Sequence, residues 1–289
     1  MSSPLVIGTA QFGMPYGVAN VVGKVRASNV EKILDLAWSS GICTLDTAKN
    51  YGSSEGVIGA YLKKRKHHSW SVVTKLSDSN NSVSSQIDDS KEKLTIQAKT
   101  VLAHSTDLYL SSWFQNGIKK AKNQGKVEKI GVSVYVEDEI SRVMASTLMP
   151  DVIQLPINIL DTRLYRRGIL NTLCDSGVEI HARSVFLQGM FFLSEEKLAE
   201  RFKGAVPYMS ELTAIAGKVG LTVAELSLLW LINLQEIAKV VIGVDSPIQL
   251  EGHLTTLKKS GDPIVFGEAV SVACENERLL NPRLWEQAC

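Results

Sequence analysis

The stretch G-I-C-T-L-D-T-A-K-N-Y-G, Gly41 to Gly52, carries the pattern on which the fold turns. Gly41 stops a helix, Ile42 to Leu45 is an apolar run of strand character, and Asp46 and Tyr51 follow before the next helix begins. Upstream, Leu5 to Thr9 reads as a strand and Gln11 to Val25 as a long loop punctuated by glycine. A capping box at Ser28-x-x-Glu31 predicts the start of a helix carrying Val30, Ile33, Leu34, Ala37 and Trp38. Downstream, Ser54 is the expected cap of a helix ending in the basic run Lys63 to His68, where cations suit the helix dipole.

The same order then recurs. Strands are expected at Ser71–Thr74, Thr100–Ala103, Lys129–Val134, Val152–Leu155, Val178–Ala182 and Lys239–Val244. Helical patterns separate them. One carries Trp113, Phe114 and Ile118, another runs from Arg163 to Cys174, and a third opens on the capping box Thr222-x-x-Glu225. Ser246 caps the helix after the eighth strand with Pro247 as its first residue, and a last helix is expected over Gly267–Leu279. Ser184 to Pro207 is the longest insertion, with a short helical piece near Glu195–Phe202. Strands that are apolar throughout suit burial on both faces, and parallel strands need crossover helices. Eight such units make an α/β protein, a (β/α)8 TIM barrel, as a single domain over residues 1–289. A doubly wound sheet binding a dinucleotide would bring a G-x-G-x-x-G turn, and the sequence has none.

Of the 289 residues 45% are hydrophobic, enough for one large core. The 31 basic and 30 acidic residues leave no surplus that would point to nucleic acid or a membrane surface. Leu221 to Ile237 is the most apolar stretch, but Glu225, Asn233, Gln235 and Glu236 interrupt it, so it reads as a core helix. The N-terminus lacks the basic start of a signal peptide. Cys43, Cys174, Cys274 and Cys289 lie far apart and read as reduced thiols, mostly core, in a cytoplasmic protein. No ligand spacing suggests a metal.

In a (β/α)8 barrel the strand C-termini open on one face, which carries the active site. Asp46, Lys75 and His104 end the second, third and fourth strands, and Tyr51 follows Asp46. Adjacent strands lie about 4.8 Å apart, so the four can converge. A free phenol has a pKa of about 10. An ammonium held by Asp46 is expected to lower it, which makes Tyr51 a proton donor toward a carbonyl oxygen gaining charge. The attacking group is absent from the residue list, and a hydride from a bound cofactor fills that place.

The pattern D-T-A-x-x-Y-G-x-S-E from Asp46 to Glu55, with V-V-T-K at Lys75 and V-L-A-H at His104, resembles the aldo-keto reductase family. The resemblance extends through G-K-V-E-K-I-G-V-S (Gly125–Ser133), Q-L-P-I-N-I-L-D-T-R (Gln154–Arg163) and V-V-I-G-V-D-S-P-I-Q-L (Val240–Leu250). It implies carbonyl reduction with NAD(P)H, Tyr51 as the acid, Lys75 and Asp46 as its tuning pair, and His104 orienting the carbonyl. Ser133 and Gln154 match residues that hold the nicotinamide carboxamide, while the usual Asn after that Ser is Val134. The strand-seven residue that stacks on the nicotinamide falls at Arg183. Ser184, Leu187 and Gly189 border the expected pyrophosphate path, and Val244, Asp245, Ser246, Gln249 and His253 the adenosine end. Family habit implies NADP(H) rather than NAD(H), yet this segment has no Lys or Arg for a 2′-phosphate, and Asp245 could instead bond a ribose hydroxyl. Phe12 and Tyr16 are candidate substrate-wall aromatics. The expected partner is a small carbonyl compound, with sugar-derived aldehydes among the candidates, and the protein is expected to be a monomer or weak oligomer. Two alternatives are a non-catalytic, cofactor-binding regulatory or redox-sensing relative and a phosphosugar lyase or isomerase with Lys75 as Schiff base. The second leaves the Asp46–Tyr51 spacing without a role.

Overall fold

A computed structural model describes residues 3–78 and 80–285. Eight parallel strands close into a barrel in sequence order. They are β1 (Leu5–Gly8), β2 (Thr44–Asp46), β3 (Ser71–Leu76), β4 (Thr100–Ala103), β5 (Lys129–Ser133), β6 (Val152–Pro156), β7 (Glu179–Arg183) and β8 (Ile237–Gly243). β8 returns to β1 with Gly243 opposite Gly8, and Gly8 in turn lies opposite Asp46. Inside the barrel Val73, Leu102 and Val152 pack on one another beneath the mouth. The much larger apolar layer lies outside, between strands and helices. Alternation along β3 puts Val73 and Lys75 on the inner face, with Val72, Thr74 and Leu76 turned the other way.

Several local expectations shift. β2 begins at Thr44 and includes Asp46, so the acid is part of the strand. The helix Ala27–Ser39 starts on the extended backbone of Arg26 without a side-chain cap, and the Ser28–Glu31 box is not used. Ser53 stands at the cap position of the helix Ser54–Lys64. The Ser54 hydroxyl instead donates to the Thr9 carbonyl (2.8 Å) and accepts from Thr47 Oγ1 (3.1 Å), tying β1 to the loop after β2. Gly168, at φ 72°, splits the expected Arg163–Cys174 helix into Arg163–Arg166 and Ile169–Asp175. The last expected helix is two, Pro263–Ser271 and Glu277–Leu280. The Thr222–Glu225 capping box and the Ser246 cap form as expected. Cys274 is buried, but Cys43 is half-buried and Cys174 exposed, because those thiols end up at element edges rather than in the core. Cys289 lies outside the described residues. Among the described residues no helix is long and apolar enough to cross a membrane.

Candidate active site

The ladder continues past the strand ends and fixes the mouth. Thr47 N donates to Val73 O (2.8 Å), Lys49 N to Lys75 O (3.1 Å), and His104 N to Leu76 O (2.8 Å). Asp46, Lys75 and His104 are thus held by backbone bonds at the mouth, as the strand-end reading requires. Lys75 is fully buried, and its Nζ donates to Asp46 Oδ1 (2.5 Å) and to the Thr47 carbonyl (2.9 Å). Gln154 Nε2 donates to the other Asp46 oxygen (2.8 Å). A buried ion pair persists only when its remaining valences are met, and Thr47 and Gln154 meet them.

Tyr51 stands over this pair. Lys75 Nζ is 5.2 Å from its ring centroid, and the His104 ring meets it edge-on at 5.7 Å between centroids. Two glycines fit the Tyr51 loop against the preceding one. A Cβ on Gly13 would stand 1.7 Å from the Tyr51 carbonyl oxygen. Gly52 has φ +55°, and a Cβ there would meet Gly13 O at 2.5 Å, so neither position accepts a side chain without displacing Tyr51.

The electrostatics differ from the sequence expectation in one respect. The Tyr51 phenol is pushed up, not down: burial is the main cause and the Asp46 carboxylate adds to it. The charge of Lys75 is turned toward Asp46 and Thr47. Burial lowers the Lys75 ammonium, and Asp46 works against that loss. His104 is pushed down to about 3 by burial, with Lys75, Arg183 and Arg283 adding, so it is neutral at physiological pH. Its Nδ1 is buried without a partner among the described residues. The resting site therefore presents a protonated phenol and a neutral imidazole, both hydrogen-bond donors.

A cavity of about 570 Å³ opens beside Asp46 and Tyr51, while Lys75, His104 and Ser133 are not on its wall. Its wall includes Tyr16, Asp46, Tyr51, Gln154, Arg183, Ser184, Gly189, Asp245, Gln249 and His253. Tyr16 is thus where a substrate-wall aromatic should be. Phe12 is not: it is fully buried in the outer core, because its short helix turns it inward. Leu187 and Val244 have buried side chains and do not stand on this wall. Ser133 is buried opposite Gln154 in the β5–β6 register. The Ser246 hydroxyl accepts from Gln249 N (3.3 Å), and Gln249 Oε1 accepts from Asp245 N (2.6 Å). His253 stacks on Phe186 (4.7 Å, 14°), and burial takes it down to about 4. Ser184, Leu187 and Gln188 all have positive φ (60°, 45° and 51°), which holds this segment in an uncommon shape beside the cavity.

Arg183 ends β7 at the mouth, but one face of its guanidinium is already taken. Its carbon lies 3.9 Å from the centroid of Tyr135, and the Arg283 carbon lies 3.5 Å from the same ring. Tyr135 and Arg283 were not among the sequence candidates. Tyr135 sits just past β5, where a strand-end rule could have found it; Arg283 comes from the far C-terminal segment and gave no signal.

A long cavity running from donors at Tyr51 to a helix N-terminus, Pro247–Thr256, suits an extended nucleotide, and the buried, unpartnered Asp245 Oδ1 offers an acceptor along it. Comparison with known proteins gives a family and a fold. The sequence pattern of the Aldo/keto reductase family matches residues 4–266. The chain is 26% identical over 243 residues to D-threo-aldose 1-dehydrogenase of a Pseudomonas species, covering 69% of this chain and 74% of that protein. Among solved structures, aldo-keto reductase AKR11C1 of Bacillus halodurans superposes with a TM-score of 0.77 at 17% identity, covering 99% of this chain and 96% of that one. PA4992 of Pseudomonas aeruginosa, described as an aldo-keto reductase, gives 0.61 at 19% identity over 88% and 89%.

Proposed function

The chain belongs to the aldo/keto reductase family, and from that premise we propose that it reduces an aldehyde or ketone to an alcohol with a reduced nicotinamide cofactor. The observation that carries this reading is the buried Lys75–Asp46 pair beneath Tyr51 with the neutral His104 at its side. A dinucleotide held along this cavity would supply the hydride. The chain's own residues do the rest. His104 donates a hydrogen bond to the substrate oxygen and sets the carbonyl's direction. Tyr51 gives that oxygen its proton as negative charge builds there. Its raised pKa keeps the phenol protonated until then, and the Lys75 ammonium stabilises the phenolate that remains. Asp46 keeps Lys75 charged and in place, and Gln154 and Thr47 hold Asp46 and Lys75 respectively.

Family habit favours NADP(H), but the charges along the described wall favour NAD(H). The wall's charged residues are Asp46, Arg183, Glu225 and Asp245. Arg183 reaches toward β5, and Glu225 is paired with Lys259 (2.6 Å). The Asp245 carboxyl is left to accept from a ribose hydroxyl, and when ionised it would repel a 2′-phosphate. The relative named D-threo-aldose 1-dehydrogenase supports sugar-derived carbonyl compounds as the substrate class.

Fluorescence titration with NADH and NADPH, followed by turnover of 4-nitrobenzaldehyde, tests the reading. Tighter binding of NADH and measurable turnover are expected. Binding of neither nucleotide contradicts the function, and tighter binding of NADPH contradicts the cofactor preference alone. Binding without turnover of any aldehyde supports the regulatory alternative.

A further inference from the structure

Among the described residues, Arg183 at the mouth of the barrel carries a positive charge that no acidic side chain pairs with. Lys75 is matched by Asp46, and Arg283 by Glu139 at 2.9 Å. Arg183 forms no ion pair among the described residues. Its Nη2 donates to the Val134 carbonyl (2.9 Å), its Nη1 to Ser184 Oγ (3.2 Å), and its buried Nε has no partner. A guanidinium has five donors, so most of its capacity is unused. Arg183 is half-buried, so the desolvated part of its guanidinium lacks a counter-charge, and that is costly.

The surroundings hold the charge in place. Tyr135 lies against the guanidinium on one side, and its backbone N–H donates to Glu139, the carboxylate that also holds Arg283. Arg283 lies over the same ring. The two guanidiniums together pull the Tyr135 phenol below its ordinary range, Arg183 being the larger cause. Arg183 also lines the cavity together with Tyr51 and Tyr16. Its Nη2 reaches from β7 toward the end of β5, on the opposite side of β7 in the barrel order from β8 and the helix Pro247–Thr256 that follows it. A cofactor phosphate at that helix is therefore not its partner, and an oxidised nicotinamide, itself a cation, does not supply the missing charge.

We propose that the carbonyl substrate carries a carboxylate, received at the mouth by Arg183 with Arg283 behind it across Tyr135. The proposal rests on the reductase reading. A single uncompensated charge suits a monoanion, and the fork of an arginine suits the two oxygens of a carboxylate. Arg183 and Arg283 are specificity-determining residues in this account, and Tyr135 and Glu139 position them.

The test compares KM within matched pairs: 4-carboxybenzaldehyde against 4-nitrobenzaldehyde, succinic semialdehyde against butanal, and glyceraldehyde 3-phosphate against glyceraldehyde. We expect at least one carboxylate to have a KM ten-fold or more below its neutral partner, with that advantage shrinking as NaCl is raised. In Arg183→Gln and Arg283→Gln the ratio of kcat/KM between the two members collapses toward one, more fully for Arg183→Gln. Equal KM values within both carboxylate pairs overturn the proposal, as does a stronger preference for the phosphate. Retention of the ratio in both variants overturns the assignment to these arginines. Absence of turnover with every compound and either cofactor defeats the reductase reading itself, a separate outcome.

Discussion

At the scale of single residues, Lys75 and Asp46 matter most. They are buried, mutually paired and braced by Thr47 and Gln154. Lys75→Met leaves a buried carboxylate with no counter-charge and should cost about 3–5 kcal/mol in urea unfolding. Adding Asp46→Asn should recover part of that loss, because two neutral groups need no mutual compensation. Protons act in a related way. His104 and His253 are held near 3 and 4 when folded, against about 6.5 when free. Between those values the unfolded chain binds protons that the folded chain does not. Stability from these two sites is therefore complete above about pH 6.5 and is lost as pH falls through the folded values. Urea midpoints from pH 7 to pH 4 should fall, and His253→Phe should flatten part of the slope.

The positions of these residues were legible because a strand end is a sequence feature. Asp46, Lys75 and His104 each follow an apolar run, and a barrel brings such ends together. The direction of the Tyr51 shift was not legible. It depends on which way Lys75 Nζ turns and how much protein covers the ring, and neither is written in the spacing. The Arg183–Tyr135–Arg283 stack was missed for a similar reason, since Arg283 reaches the mouth only through the path of the C-terminal segment.

At the scale of elements, the loop after β2 is held by close contact as much as by hydrogen bonds. Gly13→Ala would drive a Cβ into the Tyr51 carbonyl. We expect this variant to lose activity by more than ten-fold, with a lowered thermal midpoint, while Gly23→Ala, where nothing lies within 4 Å, should leave activity within about two-fold despite its positive φ. Helix boundaries were less legible than helix existence. The Ser28–Glu31 box failed because the helix begins before it, at Ala27. The Ser54 hydroxyl was drawn into a tertiary bond with Thr9, a competitor invisible to local pattern.

At the scale of the molecule, the closed barrel turns period and spacing into a one-sided site. The apolar strands and repeated crossovers made the architecture legible from sequence alone. Among the described residues the cavity wall carries no cation at the end beside the helix Pro247–Thr256, where Glu225 is paired with Lys259, and one without an ion pair, Arg183, at the Tyr51 end. Replacing the far-end carboxylate by Asp245→Ser should narrow the NADH-over-NADPH preference in fluorescence titrations, by weakening NADH and relieving the repulsion of NADPH.

The central claim is that Tyr51 gives the proton to the carbonyl oxygen. Stopped-flow measurement of cofactor oxidation with 4-nitrobenzaldehyde, in wild type and Tyr51→Phe, addresses it directly, with cofactor affinity measured in parallel. The account predicts a loss of about two to four orders of magnitude in the reduction rate with cofactor binding retained. A Tyr51→Phe enzyme that reduces the aldehyde at the wild-type rate would contradict it.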